Sequence, residues 1–189
     1  MTRHSDIDRV LFDEDQIRAA VDRVARQLSR SFAGKDLTIV AVLKGSCVFA
    51  ADLIRRLPMP LELTFVAAAS YRDATEPGDL AIQFLPAVDE IRGRDVLLVD
   101  DILDTGRTLH RLRREIEEKG AREVRTCVFL DKPSRRTAPL QADFSCFRID
   151  DVFVVGYGLD FAGRYRNLPY VATLREGIVI RRPAAGTEA

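Results

Sequence analysis

The chain has 189 residues, 47% hydrophobic and 31% charged, which suits one globular domain and excludes disordered, collagen-like and disulfide-dense classes. Its 29 Lys and Arg balance 29 Asp and Glu, so it lacks the basic excess of a dedicated phosphate-backbone binder. Cys47, Cys127 and Cys146 are odd in number, far apart and set among apolar residues, and His4 and His110 have no metal-ligand spacing, so buried free thiols are expected rather than disulfides or zinc.

The N-terminus has no apolar leader segment and leads into a charged helix. No apolar run approaches the roughly 18 residues of a membrane span. The expectation is a soluble, cytoplasmic chain with no membrane partner. Residues 15–33 place Ile17, Ala20, Val21, Val24, Ala25 and Leu28 at helical spacing, with Asp13 as N-cap and Gly34 as the stop. Leu37–Leu43 is an almost unbroken apolar run, as in a parallel strand covered on both faces. Lys44-Gly45-Ser46 turns into a helix over 47–57. Leu61–Ala69 reads as a strand, 70–79 as a long mobile loop carrying Pro77 and Gly78, and Leu80–Leu85 as a further strand. Val96–Val99 is a buried strand, 106–119 a helix, and Val124–Leu130, Phe144–Ile149 and Phe153–Val155 are strands. Residues 1–181 read as one domain and 182–189 as a frayed tail. The alternation predicts an α/β fold with a central, mainly parallel sheet flanked by helices.

The most informative stretch is Val96–Leu109. A buried strand is expected to end at Val99, and Asp100 and Asp101 follow at once. Asp104 precedes Thr105-Gly106-Arg107-Thr108, where a helix should begin. In open α/β sheets, ligands bind beyond the carboxyl ends of the strands. A helix N-terminus with Gly and Thr cradles a phosphate. Carboxylates repel phosphate, yet they accept from sugar hydroxyls and hold Mg²⁺. Together they suggest a ribose 5-phosphate. An acidic strand end with an ordinary helix cap explains Asp-Thr-Gly alone, but less well the three acids beside the turn.

Residues 96–109 resemble the signature loop of the type I phosphoribosyltransferases, and the chain is similar to the bacterial hypoxanthine-guanine branch from about residue 8 to about residue 175. Five motifs in order carry the resemblance: Leu43–Ser46, Ser70-Tyr71, the 96–109 loop, Leu130–Pro133, and Phe153–Asp160 with Arg166–Leu168. It implies that fold, with a small hood from the chain ends. It also implies Mg²⁺-dependent transfer of phosphoribosyl from its 1-pyrophosphate (PRPP) to N9 of a 6-oxopurine, hypoxanthine or guanine, in purine salvage. The products would be IMP or GMP and pyrophosphate.

The resemblance implies roles residue by residue. Lys44, Gly45, Ser70, Tyr71, Asp100, Asp101, Asp104, Thr105, Gly106, Arg107, Thr108 and Arg166 would bind PRPP, with a cis Leu43–Lys44 peptide. Asp104 would be the general acid/base. Lys132, Phe153, Val154 and Asp160 would bind the purine, and Asp100, Asp101 and Asp160 the Mg²⁺. A homodimer or homotetramer is implied. The family usually has Glu-Asp where this chain has Asp100-Asp101, and Arg107 stands at a variable position. Alternatives are a xanthine-preferring enzyme, and an RNA-binding attenuator of pyrimidine operons, with uracil phosphoribosyltransferase activity, of the same fold. Lys132 and Phe153–Asp160 favour the purine enzyme, and the neutral charge offers no RNA face.

Overall fold

The computed structural model describes residues 4–70 and 80–180. The chain runs β1 (Ile7–Phe12), α1 (Glu14–Ser31), β2 (Leu37–Leu43), α2 (Cys47–Ile54), β3 (Leu61–Ser70), β4 (Leu80–Phe84), α3 (Val88–Ile91), β5 (Asp95–Leu103), α4 (Arg107–Glu118), β6 (Glu123–Asp131), β7 (Phe144–Arg148), β8 (Val171–Leu174) and α5 (Glu176–Ile180).

Helix α1 forms where the apolar spacing predicts it. Asp13 caps it in a capping box, its carboxylate accepting from the Gln16 amide at 2.8 Å. Strands β2, β3, β5, β6 and β7 pair in parallel, and β4 closes one edge antiparallel to β3. The order in the sheet is β4-β3-β2-β5-β6-β7.

Alternation along the central strands feeds two cores. Ile39, Ala41, Leu97, Val99 and Phe129 pack with α1 and α2 on one face. Val40, Val42, Val96, Leu98 and Val128 pack with α3 and α4 on the other. These strands are apolar throughout because both faces are covered. A separate two-stranded sheet, β1 with β8, makes a small hood from segments near the two chain ends.

The sequence reading needs four corrections. First, β5 does not stop at Val99 but continues through Asp100 and Asp101 to Leu103, because Asp100, Ile102 and Leu103 still pair with β6. Second, Phe153–Val155 is not a strand; Val155 makes only an isolated bridge to Ala172. Third, the N-terminal segment enters β1 before α1, and α2 ends at Ile54. Short strands in the hood have too few alternating residues to announce themselves. Fourth, Cys47 is exposed, at the first turn of α2, whereas Cys127 and Cys146 are buried free thiols as expected. The expected mobile loop falls mostly on residues 71–79, and the expected tail on 182–189; both lie outside the described residues. No described helix is long and apolar enough to cross a membrane.

The chain leaves β2 towards β3 on one side and leaves β5 towards β6 on the other. The order therefore reverses between β2 and β5, and a crevice opens there beyond their carboxyl ends. Leu97 is fully buried on β5, in the core that carries that edge of the sheet. Leu97→Ala is expected to cost about 3 kcal/mol in urea unfolding; a loss below about 1 kcal/mol would contradict the packing described.

Candidate active site

The segments at the switch point meet at glycines, which leave room for close approach. Lys44 and Gly45 follow β2 through a cis Leu43–Lys44 peptide. A Cβ on Gly45 would overlap the Asp101 carboxylate, and a Cβ on Gly158 would overlap the Gly45 carbonyl. Three loops far apart in sequence thus share one point. Gly158 also has φ 98°, a left-handed conformation that side chains disfavour.

Asp100 is buried and Asp101 half-buried. The Asp101 amide donates to Asp100 Oδ1 at 2.9 Å. Burial pushes the Asp100 carboxyl well above the usual range, and the adjacent Asp101 charge adds to it. Burial raises Asp101 too, while Arg166 pulls the other way. Two such oxygen donors, short of positive charge, fit a hard cation; Mg²⁺ typically takes one or two carboxylates and completes its shell with substrate oxygens and water. Among the described residues no three His, Cys, Asp or Glu side chains gather into one metal cage.

Beyond β5, Asp104, Thr105, Gly106 and Thr108 line a concavity with Asp100 and Asp101. Gly106 adopts φ 81° directly before α4, so the free amides of the first turn open onto that hollow. A Cβ on Gly106 would crowd the Arg136 stem. Arg107 is exposed. Its amide lies 3.5 Å from the Thr105 hydroxyl.

At the end of β6, Lys132 is buried and its Nζ donates to the Val152 carbonyl at 2.7 Å. Phe153 follows, 48% exposed, with its ring edge-on to Phe161 at 5.6 Å. That exposure rules out simple core packing. Val154 is buried in the core behind it. Asp160 caps a tight turn, accepting from the Gly163 amide at 2.8 Å, and pairs with Arg166 at 2.6 Å. Arg166 also donates to the Gly158 carbonyl at 2.6 Å. Ser70 ends β3 at the same sheet edge, and Tyr71 lies outside the described residues.

The structure adds residues the sequence reading did not single out. Arg136 donates to the Leu103, Asp104 and Leu140 carbonyls and pairs with Asp131 at 2.5 Å, holding the phosphate-type turn from behind. Arg135 Nε lies 2.8 Å from Asp104 Oδ1, an ion pair without hydrogen-bond alignment, and reaches Asp151 at 3.2 Å. The signal available was the Arg135-Arg136 pair just after Lys132-Pro133, but an isolated basic pair usually marks a solvated surface.

A parallel sheet with an acidic strand end, a helix start with free amides and a basic loop at its switch point offers partners for both the phosphate and the hydroxyls of a phosphorylated sugar. The phosphoribosyl transferase domain profile matches residues 11–162, and the chain belongs to that family. It is 40% identical over 174 residues to a hypoxanthine-guanine phosphoribosyltransferase of Streptococcus pneumoniae, covering 92% of this chain and 97% of the relative. Among solved structures it resembles a hypoxanthine phosphoribosyltransferase from Staphylococcus aureus, with TM-score 0.85, 36% identity, and 94% and 99% of the two chains covered. The Trypanosoma cruzi hypoxanthine phosphoribosyltransferase in complex with the product IMP gives TM-score 0.86 at 32% identity, covering 94% of this chain and 100% of the other.

Asp100 yields a pH prediction with a definite sign. Its folded pKa is raised, so the folded state binds more protons than the unfolded one above the ordinary carboxyl value of about 4. Stability of the unliganded protein should therefore fall as pH rises through that window. Asp100→Asn should raise the urea midpoint at pH 8 and leave it nearly unchanged at pH 3.5; an equal shift at both pH values would show that the carboxyl's charge is not the cause.

Proposed function

We infer that the chain is a hypoxanthine-guanine phosphoribosyltransferase, forming IMP or GMP and pyrophosphate from PRPP and a 6-oxopurine. The observation that carries this reading is the stacking of Gly158 on Gly45 and of Gly45 on Asp101, which joins a pyrophosphate-type loop to a ribose-phosphate loop. The identity to the named relatives over nearly the whole chain supports it.

The first turn of α4, with Thr105, Gly106 and Thr108, holds the 5-phosphate through backbone amides and hydroxyls. Asp100 and Asp101 accept from the ribose hydroxyls and, with the substrate's own oxygens, would hold Mg²⁺, which supplies charge neutralisation for the departing pyrophosphate. Asp160 stands at the Arg166 end of the same group. Backbone amides around Lys44 and Gly45, and the Arg166 fork, bind the pyrophosphate. Arg166 trades its present carboxylate partner for that ligand.

At the other end, Phe153 offers an open ring face for the purine. The Val152 carbonyl uses one of the three Lys132 donors and Asp151 stands 3.9 Å from the same Nζ, which leaves a donor for a 6-oxo group. The backbone at Val154 reads the purine edge. Asp104 manages the proton at purine N7 as the C1′–oxygen bond to pyrophosphate breaks and the C1′–N9 bond forms. Arg135 must share or release that carboxylate when the base binds.

Purified protein with PRPP, Mg²⁺ and a panel of hypoxanthine, guanine, xanthine, adenine and uracil tests the reading. Fast nucleotide formation from hypoxanthine and guanine, with little from adenine or uracil, is expected. Turnover of uracil, or none with tight PRPP binding, would overturn it in favour of the attenuator-type protein. Asp104→Ala is expected to lower kcat at least about 100-fold with a modest change in PRPP binding; unchanged turnover removes its proton role. Lys132→Ala should erode discrimination against adenine, and intact discrimination would assign the 6-oxo contact elsewhere.

A further inference from the structure

We propose that Asp6 and Tyr165 form a latch from the N-terminal segment that positions Arg166 for pyrophosphate, an inference that rests on the function proposed above.

Tyr165 has φ 73°, in the left-handed region. A non-glycine residue held there is strained and persists only when its surroundings hold it. The Leu168 amide holds the Tyr165 carbonyl at 3.1 Å, and the Tyr165 side chain ties the turn to the N-terminal segment. The hydroxyl donates to Asp6 Oδ2 at 2.7 Å, across 159 residues of sequence. The ring meets His4 edge-on, with centroids 5.5 Å apart. Asp6 is itself fixed: its carbonyl accepts from the Arg175 amide at 3.0 Å, and its amide donates to His4 Nδ1 at 3.2 Å. The Tyr165 hydrogen bond holds the Asp6 carboxyl below the usual range, so it stays an ionised acceptor near neutral pH.

Arg166 is the next residue. Its head is set by Gly158 and Asp160, and its carbonyl accepts from the Gly158 amide at 2.9 Å. Those contacts fix the guanidinium only if the backbone from which the stem starts is also fixed. Tyr165 supplies that point, and Asp6 holds Tyr165 to the strand pair β1–β8. The latch residues line a cleft of about 560 Å³ with Arg164, Arg166 and Asn167. Lys132, Phe153 and Asp104 at the purine end make their contacts with other residues. Asp160 alone of that group touches Arg166, so the effect of the latch should fall mainly on one substrate.

The test compares wild type with Tyr165→Phe, Asp6→Ala, Asp6→Asn and the Tyr165→Phe/Asp6→Ala double variant. KM is measured for PRPP and for hypoxanthine, and pyrophosphate binding with Mg²⁺ by calorimetry. Tyr165→Phe, which deletes one oxygen, should raise KM for PRPP and weaken pyrophosphate binding about 5-fold, less than the roughly tenfold or more of losing a direct hydrogen bond to a charged group because the contact acts through Arg166. The hypoxanthine KM and kcat should stay within about 2-fold, since the purine end is untouched. Asp6→Asn keeps an acceptor and should be milder than Asp6→Ala. The double variant should be no worse than the worse single one. Unchanged PRPP and pyrophosphate affinity, or equal losses for both substrates, would overturn the latch. A wild type that forms no nucleotide would reject the proposed function, and pyrophosphate calorimetry would still decide the latch. An Asp6→Ala chain that fails to fold leaves the decision with Tyr165→Phe.

Discussion

The parallel pairing of β2 with β5 sets the geometry on which the rest of the site depends. Each strand sends its chain away in a different direction, so their carboxyl ends cannot be bridged by a connection and are left facing outward. Register brings Val40 opposite Leu98 and Ala41 opposite Val99. That register delivers Gly45 against Asp101. Any side chain at position 45 would push the two loops apart. The Cα atoms there serve as packing surfaces, and glycine follows from contact as much as from backbone freedom.

Charge in this crevice is mostly balanced internally. Arg166 lies on Asp160, Arg135 on Asp104 and Asp151, Arg136 on Asp131. Asp100 and Asp101 are the exception, one buried acid and one half-buried, with Arg166 easing only Asp101. A ligand that brings phosphate and metal together satisfies both kinds of group at once. It gives the arginines new anions and the acids a cation. A bare phosphate would leave the acids uncompensated, and a bare cation would leave the arginines where they are.

Much of this was legible in the sequence because its cause is local. Continuous apolar runs marked β2 and β5, helical spacing and Asp13 marked α1, and Asp104–Thr108 marked the start of α4. The Asp-rich end of β5 misled the boundary, since ladder pairing with β6 carries the strand past Val99 even where the residues turn polar. The hood was implied only by the family resemblance; β1 and β8 owe their existence to each other, at a distance no window along the chain can see. The same holds for Arg135, Arg136 and Tyr165. Each has a partner on a segment distant in sequence, so an arginine pair or a tyrosine looks like surface until the fold assembles. An aromatic in an apolar stretch such as Phe153 suits core packing as well as an open ring, and only its exposure separates the two.

The stack of Gly158 on Gly45 on Asp101 has a kinetic consequence. Its members come from the loop after β2, the end of β5 and the segment after β7, and nothing local brings them together. Closing such long loops costs entropy before any contact repays it. The crevice can therefore form only after the central strands and the post-β7 segment have docked. Recovery of activity should be among the last events of refolding, trailing the return of helix and sheet.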